Sequence, residues 1–250
     1  MRVLICGRLR IEADAATIDE SDLPGRLGRR LWAYLVLHRR RPIGRPELIG
    51  ALWGDEEPEA ADASLNPLLS KLRALLARLR VDAAIRGSSG TYALALPADT
   101  FVDHDRAWTA IHHVQALRRS GDIRGAWAEA VIANEIASRG FLGGDDAPWI
   151  EAERRTLRDI ELQALEAVAE AELDQGRAAE AERVARRLIA ADALRESGYR
   201  LLMRALSAGG NAAQAARVME ECRTALATAA AVPSEETQRV LREALAGHRP

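Results

Sequence analysis

SLNPLLSKLRALLARLR, residues 64–80, is the stretch on which the reading of this chain turns. Its leucines fall at 65, 68, 69, 72, 75, 76 and 79. That i, i+3, i+4, i+7 spacing lines one stripe of an α-helix. The opposite stripe carries Asn66, Ser70, Arg73, Ala77 and Arg80, with Lys71 and Arg78 on its shoulder. One face is built to sit in a core. The other presents an amide, a hydroxyl and cations, the groups that meet base edges and phosphates. Ordinary surface helices share this pattern, so the flanking segments decide between the two.

Upstream, Met1–Ile18 reads as short strands, with Val3, Ile5, Leu9 and Ile11 alternating with polar or small residues. Asp19–Gly28 is a polar link, and RRLWAYLVLH (29–38) a short apolar helix that three arginines and Pro42 end. Pro46 suits the first turn of the next helix, Glu47–Trp53, and Gly54–Pro58 forms the turn before the leucine helix. Downstream, the Gly87-Ser-Ser-Gly90 turn leads into Thr91–Leu96, where Tyr92, Leu94 and Leu96 alternate with small residues as in a hairpin arm. Helix, turn, helix, hairpin is the order of a winged helix-turn-helix. Pro67 departs from the pattern, because proline inside a helix removes a backbone hydrogen bond at a cost of about 3 kcal/mol. Two arrangements accommodate it. Either Asn66 is the N-cap and Pro67 the first helical residue, or a longer helix from about residue 58 kinks there.

A chain of 250 residues holds one large or two ordinary domains. It is 48% apolar but only 4% aromatic, rich in alanine and leucine, which favours helix. Net charge is near zero but uneven: residues 1–98 carry 15 basic and 12 acidic side chains, residues 99–250 carry 20 and 25. A nucleic-acid-binding first part and an acidic partner-binding second part fit this contrast. Lys71 is the one lysine among 35 basic residues. The isolated Cys6 and Cys222 build neither a disulfide framework nor a zinc site, which suggests a reducing cytoplasm. No apolar run reaches membrane-spanning length, so no membrane partner is expected.

From about Asp99 the texture is alanine-rich helix. Ala116-x4-Gly121-x4-Ala126, Ala171-x4-Gly176-x4-Ala181 and Ala205-x4-Gly210-x4-Ala215 share one pattern, a helix ending near glycine and another beginning with a small residue. The second and third copies lie 34 residues apart, the tetratricopeptide period. About 21 extra residues separate the first two copies, including GFLGGDDAP (140–148) before a long helix from Trp149 to about Asp174. Asp145 and Asp146 read as the cap of that helix. Ser234-Glu-Glu-Thr opens a terminal helix that closes the stack. The expected fold is mainly α with a small β component: a winged helix-turn-helix over 1–98, then a tetratricopeptide-like helical domain over 99–250.

Several blocks carry a resemblance. RRLWAYLVLHRRRPIGRPELIGALW (29–53), LLSKLRALL (68–76) and GTYALALP (90–97) do so in the first part. VDHDRAW (102–108), FLGGDDAPWIEAERRTLRDIELQALE (141–166), RESGYRLLMRALSAGGNAAQA (195–215) and VPSEETQRVL (232–241) do so in the second. Over nearly its whole length the chain resembles the Streptomyces antibiotic regulatory protein family, which joins an OmpR-type winged helix to a bacterial transcriptional activator domain. The resemblance implies a DNA-binding activator that binds direct repeats in double-stranded promoter DNA, with a second protomer beside it, and contacts RNA polymerase and its sigma factor. It implies a cytoplasmic, nucleoid-associated protein. Pro67 leaves the individual base contacts open.

Asn66, Ser70, Lys71 and Arg73 are the expected major-groove residues. Arg86, Ser88, Ser89 and Thr91 form the expected wing. Arg29, Arg30, Arg41 and Arg45, with Arg39 and Arg40, are phosphate candidates, although charge runs commonly serve only as solvated surface. Trp32, Trp53, Trp108, Trp127 and Trp149 read as core. His104, His112 and His113 lack metal-ligand spacing. No phosphate-binding glycine loop or nucleophile–base set is legible, so neither an enzyme nor a cofactor is expected, and without a phosphoacceptor aspartate domain the chain does not read as a complete response regulator. The rival reading is an interaction scaffold of tetratricopeptide type with a vestigial winged helix.

Overall fold

The computed structural model describes residues 1–14, 16–54 and 60–246. The turn expected over 54–58 falls, apart from Gly54, outside the described residues. The chain divides into two compact units, Met1–Arg106 with Ile136–Arg158, and Ala107–Glu135 with Asp159–Pro250.

The first unit opens with β1 (Arg2–Leu4), β2 (Arg10–Ala13) and β3 (Ala16–Asp19). These form an antiparallel meander, and β7 (Phe101–Val102) adds to β1 in parallel, giving the order β3-β2-β1-β7. The alternation works as read: Val3, Ile5, Leu9, Ile11 and Ile18 are at most 2% exposed. α1 spans Gly25–Leu37, four residues earlier than its sequence suggests. The glycines that read as a link are part of it. Gly28 donates its N–H to Pro24 O, and a Cβ there would lie 2.3 Å from the Pro24 ring. The helix buries Leu31, Trp32, Leu35 and Val36 completely. β4 (Ile43–Gly44), α2 (Arg45–Trp53), α3 (Ala61–Arg78), β5 (Ala84–Ser88) and β6 (Thr91–Ala95) follow. The strands form a second sheet in the order β4-β6-β5.

α3 settles the proline question in favour of the longer helix. It begins at Ala61, with Pro67 inside it and exposed. Asn66 is therefore not its cap, and Ser64 N–H already bonds Ala60 O. The carbonyl that Pro67 leaves unpaired sits on the exposed face, where water reaches it. Leu65, Leu69, Leu72, Leu76 and Leu79 are buried, at no more than 2% exposure.

The second unit and the segments leading into it are helical: α4 (Asp103–Ser120), α5 (Ile123–Ala137), α6 (Pro148–Asp174), α7 (Ala178–Ala191), α8 (Glu196–Ala208), α9 (Ala212–Ala227) and α10 (Glu235–Ala246). The three repeat glycines all adopt φ between 72° and 79°. Each closes the same double hydrogen bond. Gly121 N and Asp122 N donate to Arg118 O and Leu117 O, Gly176 N and Arg177 N to Leu173 O and Glu172 O, and Gly210 N and Asn211 N to Ser207 O and Leu206 O. This is the Schellman arrangement, which satisfies the last helical carbonyls and needs a left-handed residue. Ala126, Ala181 and Ala215 are buried at the start of the second helix of each pair; Ala116, in the first copy, is exposed. Leu165, Leu188, Tyr199, Leu202, Leu206, Met219 and Cys222 form the core that joins α6 to α9. α10 packs on α8 and α9, and Thr237 N–H donates to Ser234 Oγ at its start.

Candidate nucleic-acid interface

The helix that faces solvent does so because of its register. Leucine at 65, 69, 72 and 76 is held in the core, so Asn66, Ser70, Lys71 and Arg73 are exposed as a consequence. The wing lies beside them. β5 and β6 pair from Ala84↔Ala95 to Ser88↔Thr91, with Ser89 and Gly90 at φ 49° and 77° in the connecting turn. Two positive φ values in a two-residue loop are the mark of a type I′ hairpin. Thr91 Oγ1 donates to Ser88 O at 2.7 Å. Arg86, Ser88, Ser89 and Thr91 are all exposed.

Arg73 bridges helix and wing. Its Nε donates to Ile85 O at 2.9 Å, and its Nη2 lies close enough to Gly87 that a Cβ there would come within 3.3 Å. The Nη edge of the guanidinium remains for a ligand. Arg45 does more. Its backbone N–H bonds Gly90 O, and its side chain donates to Asp62, to Asn66 Oδ1 at 3.0 Å and to the Tyr92 hydroxyl at 2.7 Å. One residue thus joins the start of α2, the solvent stripe of α3 and the wing.

The other arginines expected on phosphate are more engaged than their sequence suggests. Arg30 has to be withdrawn from that set. It is 5% exposed, donates to Leu52 O at 2.6 Å, and forms a buried ion pair with Asp145. The guanidinium fork meets a carboxylate and a carbonyl at once, which satisfies the charge in this buried place. The same contact corrects the expected role of Asp145, whose carboxylate serves Arg30 while α6 starts at Pro148. Arg39 and Arg40 both turn onto Asp105. Arg29 pairs with Glu20 at 3.5 Å. Arg41 holds Glu47, which also accepts from the Tyr34 hydroxyl at 2.7 Å. The hydrogen bond from Arg41 holds the Glu47 carboxyl down to about 2, with Tyr34 adding to it. Burial, then Glu47, pushes the Tyr34 phenol up to about 12.

A second polar cluster braces the base of this unit. Buried Asp103 accepts from Ile5 N, Cys6 N and His104 N. His104 Nε2 bonds Glu153 Oε1 at 2.6 Å, and its Nδ1 lies 3.9 Å from Asp105. Burial opposes the imidazolium, but hydrogen bonds to Asp105 and Glu153 prevail and carry the His104 pKa up to about 9. Trp149 donates to Ala51 O at 2.8 Å and packs edge-on against Tyr34 and Phe141. Of the five tryptophans read as core, Trp32 is fully buried, whereas Trp108 is 39% exposed. Burial raises both thiols, Cys222 to about 11.

Residues 102–245, more than half of the chain, match the bacterial transcriptional activator domain family. Regulatory protein AfsR of Streptomyces coelicolor is 34% identical over 199 residues, covering 80% of this chain and 20% of that protein. AfsR of Streptomyces griseus is 30% identical over 224 residues, covering 86% and 22%. The chain thus spans about a fifth of the length of these relatives. Transcriptional regulatory protein EmbR of Mycobacterium tuberculosis is 35% identical over 88 residues, 34% of this chain and 23% of that one. The solved structure of Mycobacterium tuberculosis EmbR, in complex with a low affinity phosphopeptide, has the same fold, with TM-score 0.87 at 23% identity over 100% of this chain and 66% of that chain. The architecture is mainly α with small sheets, a winged helix followed by a tetratricopeptide-like helical region. With its activator domain and these relatives, the chain belongs to the Streptomyces antibiotic regulatory protein family of transcriptional regulators.

Proposed function

We propose that this regulator is a sequence-specific DNA-binding activator. Residues 1–98 serve as the DNA-binding domain and residues 99–250 as the activator domain. The observation that carries the reading is the pairing of two exposed surfaces. Asn66, Ser70 and Arg73 lie along one face of α3 with Lys71 exposed on its shoulder, and Arg86, Ser88, Ser89 and Thr91 lie on the adjacent wing. α3 enters the major groove with Arg73 toward guanine. Lys71, Arg86 and the wing hydroxyls hold phosphate, with Arg29 and Arg41 at the margin. Arg30 takes no part. Two protomers sit on direct repeats, and the helical domain contacts RNA polymerase and its sigma factor. The protein acts in the cytoplasm on nucleoid DNA and performs no chemistry. No helix among the described residues is long and apolar enough to cross a membrane.

The test is selection from random duplex DNA, followed by affinity against salt. A repeated motif, with log K falling steeply as log[salt] rises, is the expected result. R73A is expected to lose about tenfold or more in affinity and the preference at one base position, about 1–3 kcal/mol, with its far-ultraviolet spectrum unchanged. Motif-free, weak binding overturns the reading. A scaffold then takes its place, acting through the cavity of about 500 Å³ in the second unit, lined by Glu166, Arg195, Arg200 and Arg204.

A further inference from the structure

Arg45 and Asn66 carry an inference that rests on the DNA-binding reading and deepens it. Asn66 is exposed on the α3 stripe, yet its side chain is not free to turn. Arg45 Nη1 approaches one end of its amide at 3.0 Å. A guanidinium has only donors, so that end is the carbonyl oxygen. The opposite end, Nδ2 with two N–H groups, is the end left for the groove. A cation behind the oxygen also polarises the amide and strengthens those N–H donors. Asparagine read in both directions pairs with adenine, which offers a donor at N6 and an acceptor at N7. Guanine offers two acceptors, O6 and N7.

Arg45 itself has little left to give a phosphate. Its side chain is 20% exposed, and its Nε, Nη1 and Nη2 already reach Asp62, Asn66 and Tyr92. Asp62 and Asn66 are one helical turn apart on the same face, so a single guanidinium fixes both. Its backbone N–H holds Gly90 at the wing turn.

We propose that Arg45 is a positioning residue rather than a phosphate contact, and that it fixes Asn66 as a donor that reads the O6/N7 edge of guanine. The position read by Asn66 is defined as the one whose preference disappears in N66A. Wild type is expected to select guanine there, and N66D, which only accepts, to shift the same position toward cytosine through its N4 amino group. R45A and R45K are expected to relax that position and lower affinity about tenfold, while the slope of log K against log[salt] stays at the wild-type value. R45K keeps the charge but loses the planar fork, so it separates positioning from charge even where R45A folds poorly. Adenine at the Asn66 position in wild type overturns the inference. So does an R45A slope shallower by about 0.9, the signature of one lost phosphate contact, or wild-type behaviour of R45K. Those results leave the DNA-binding reading standing; absence of any selected motif removes both.

Discussion

In the second unit each helix pair is closed within a few residues of its own turn. In the first unit the polar contacts that set the shape join residues about a hundred positions apart. Gly176 N bonds Leu173 O and Arg177 N bonds Glu172 O, and the same bonds recur at Gly121 and Gly210. Arg30 reaches Asp145 across 115 positions, Trp149 reaches Ala51 across 98, and Asp103 reaches Ile5 across 98. A local rule repeated along the chain can be written into a short period. A contact between distant residues leaves no periodic trace. A helical stack is therefore easily recognised, while the surface that reads a ligand has to be seen folded.

The largest test of this contrast is the buried ion pair. R30A leaves Asp145 without its partner in a site 3% exposed at the carboxylate, and removing one partner of a buried pair typically costs about 3–5 kcal/mol. Urea unfolding is expected to show that loss; a change below about 1 kcal/mol would mean that the long-range pair does not set the shape of the first unit.

His104 gives a test of intermediate size. Its folded pKa, about 9, lies above the ordinary histidine value of 6.5. Its contribution is therefore fully present below about pH 6.5 and is lost as pH rises through about 9. The size is on the order of 3 kcal/mol. Asp105 shifts the other way, downward, chiefly through His104 and then Arg39, so its contribution falls away only in acid. Thermal melts from pH 6 to 9.5 isolate the histidine: wild type is expected to lose stability and H104Q to show a flat profile over the same range.

The smallest effects concern the local rule. Gly176, at φ 72°, is expected to tolerate alanine at a cost of about 1 kcal/mol. After α9 the chain uses the same closure with Ala230 at φ 54°, whose N–H bonds Ala227 O while Ala231 N bonds Leu226 O. Here glycine is the better residue, and A230G is expected to raise stability by about 0.5–1 kcal/mol. Opposite signs in the two melts would establish that conformation, not packing, governs these positions. Equal signs would break that account.

How much of the interface was legible follows from the same physics. The leucine stripe of residues 64–80 correctly fixed which face of α3 is buried, and the wing turn at Ser89 and Gly90 was visible as glycine and serine between two apolar runs. The sequence leaves the start of α3 open. Pro67 admitted a cap or an interior position, and Ala60–Ser64 contacts decided for the interior. The arginines were least legible. Arg30, Arg39, Arg45 and Arg86 look alike as letters, yet one is buried on Asp145, one is tied to Asp105, one braces α3 and the wing, and one is exposed.

The helix faces, the strand alternation, the three glycine closures and the family are legible in the residues alone, because each is encoded by spacing within a few turns or by blocks of adjacent residues. Which cations stay exposed, how Asn66 is oriented and where Asp145 finds its partner emerge only once the chain is folded. Charge on a side chain is a local property. Whether that charge meets solvent or a carboxylate depends on which distant segments the apolar faces bring together.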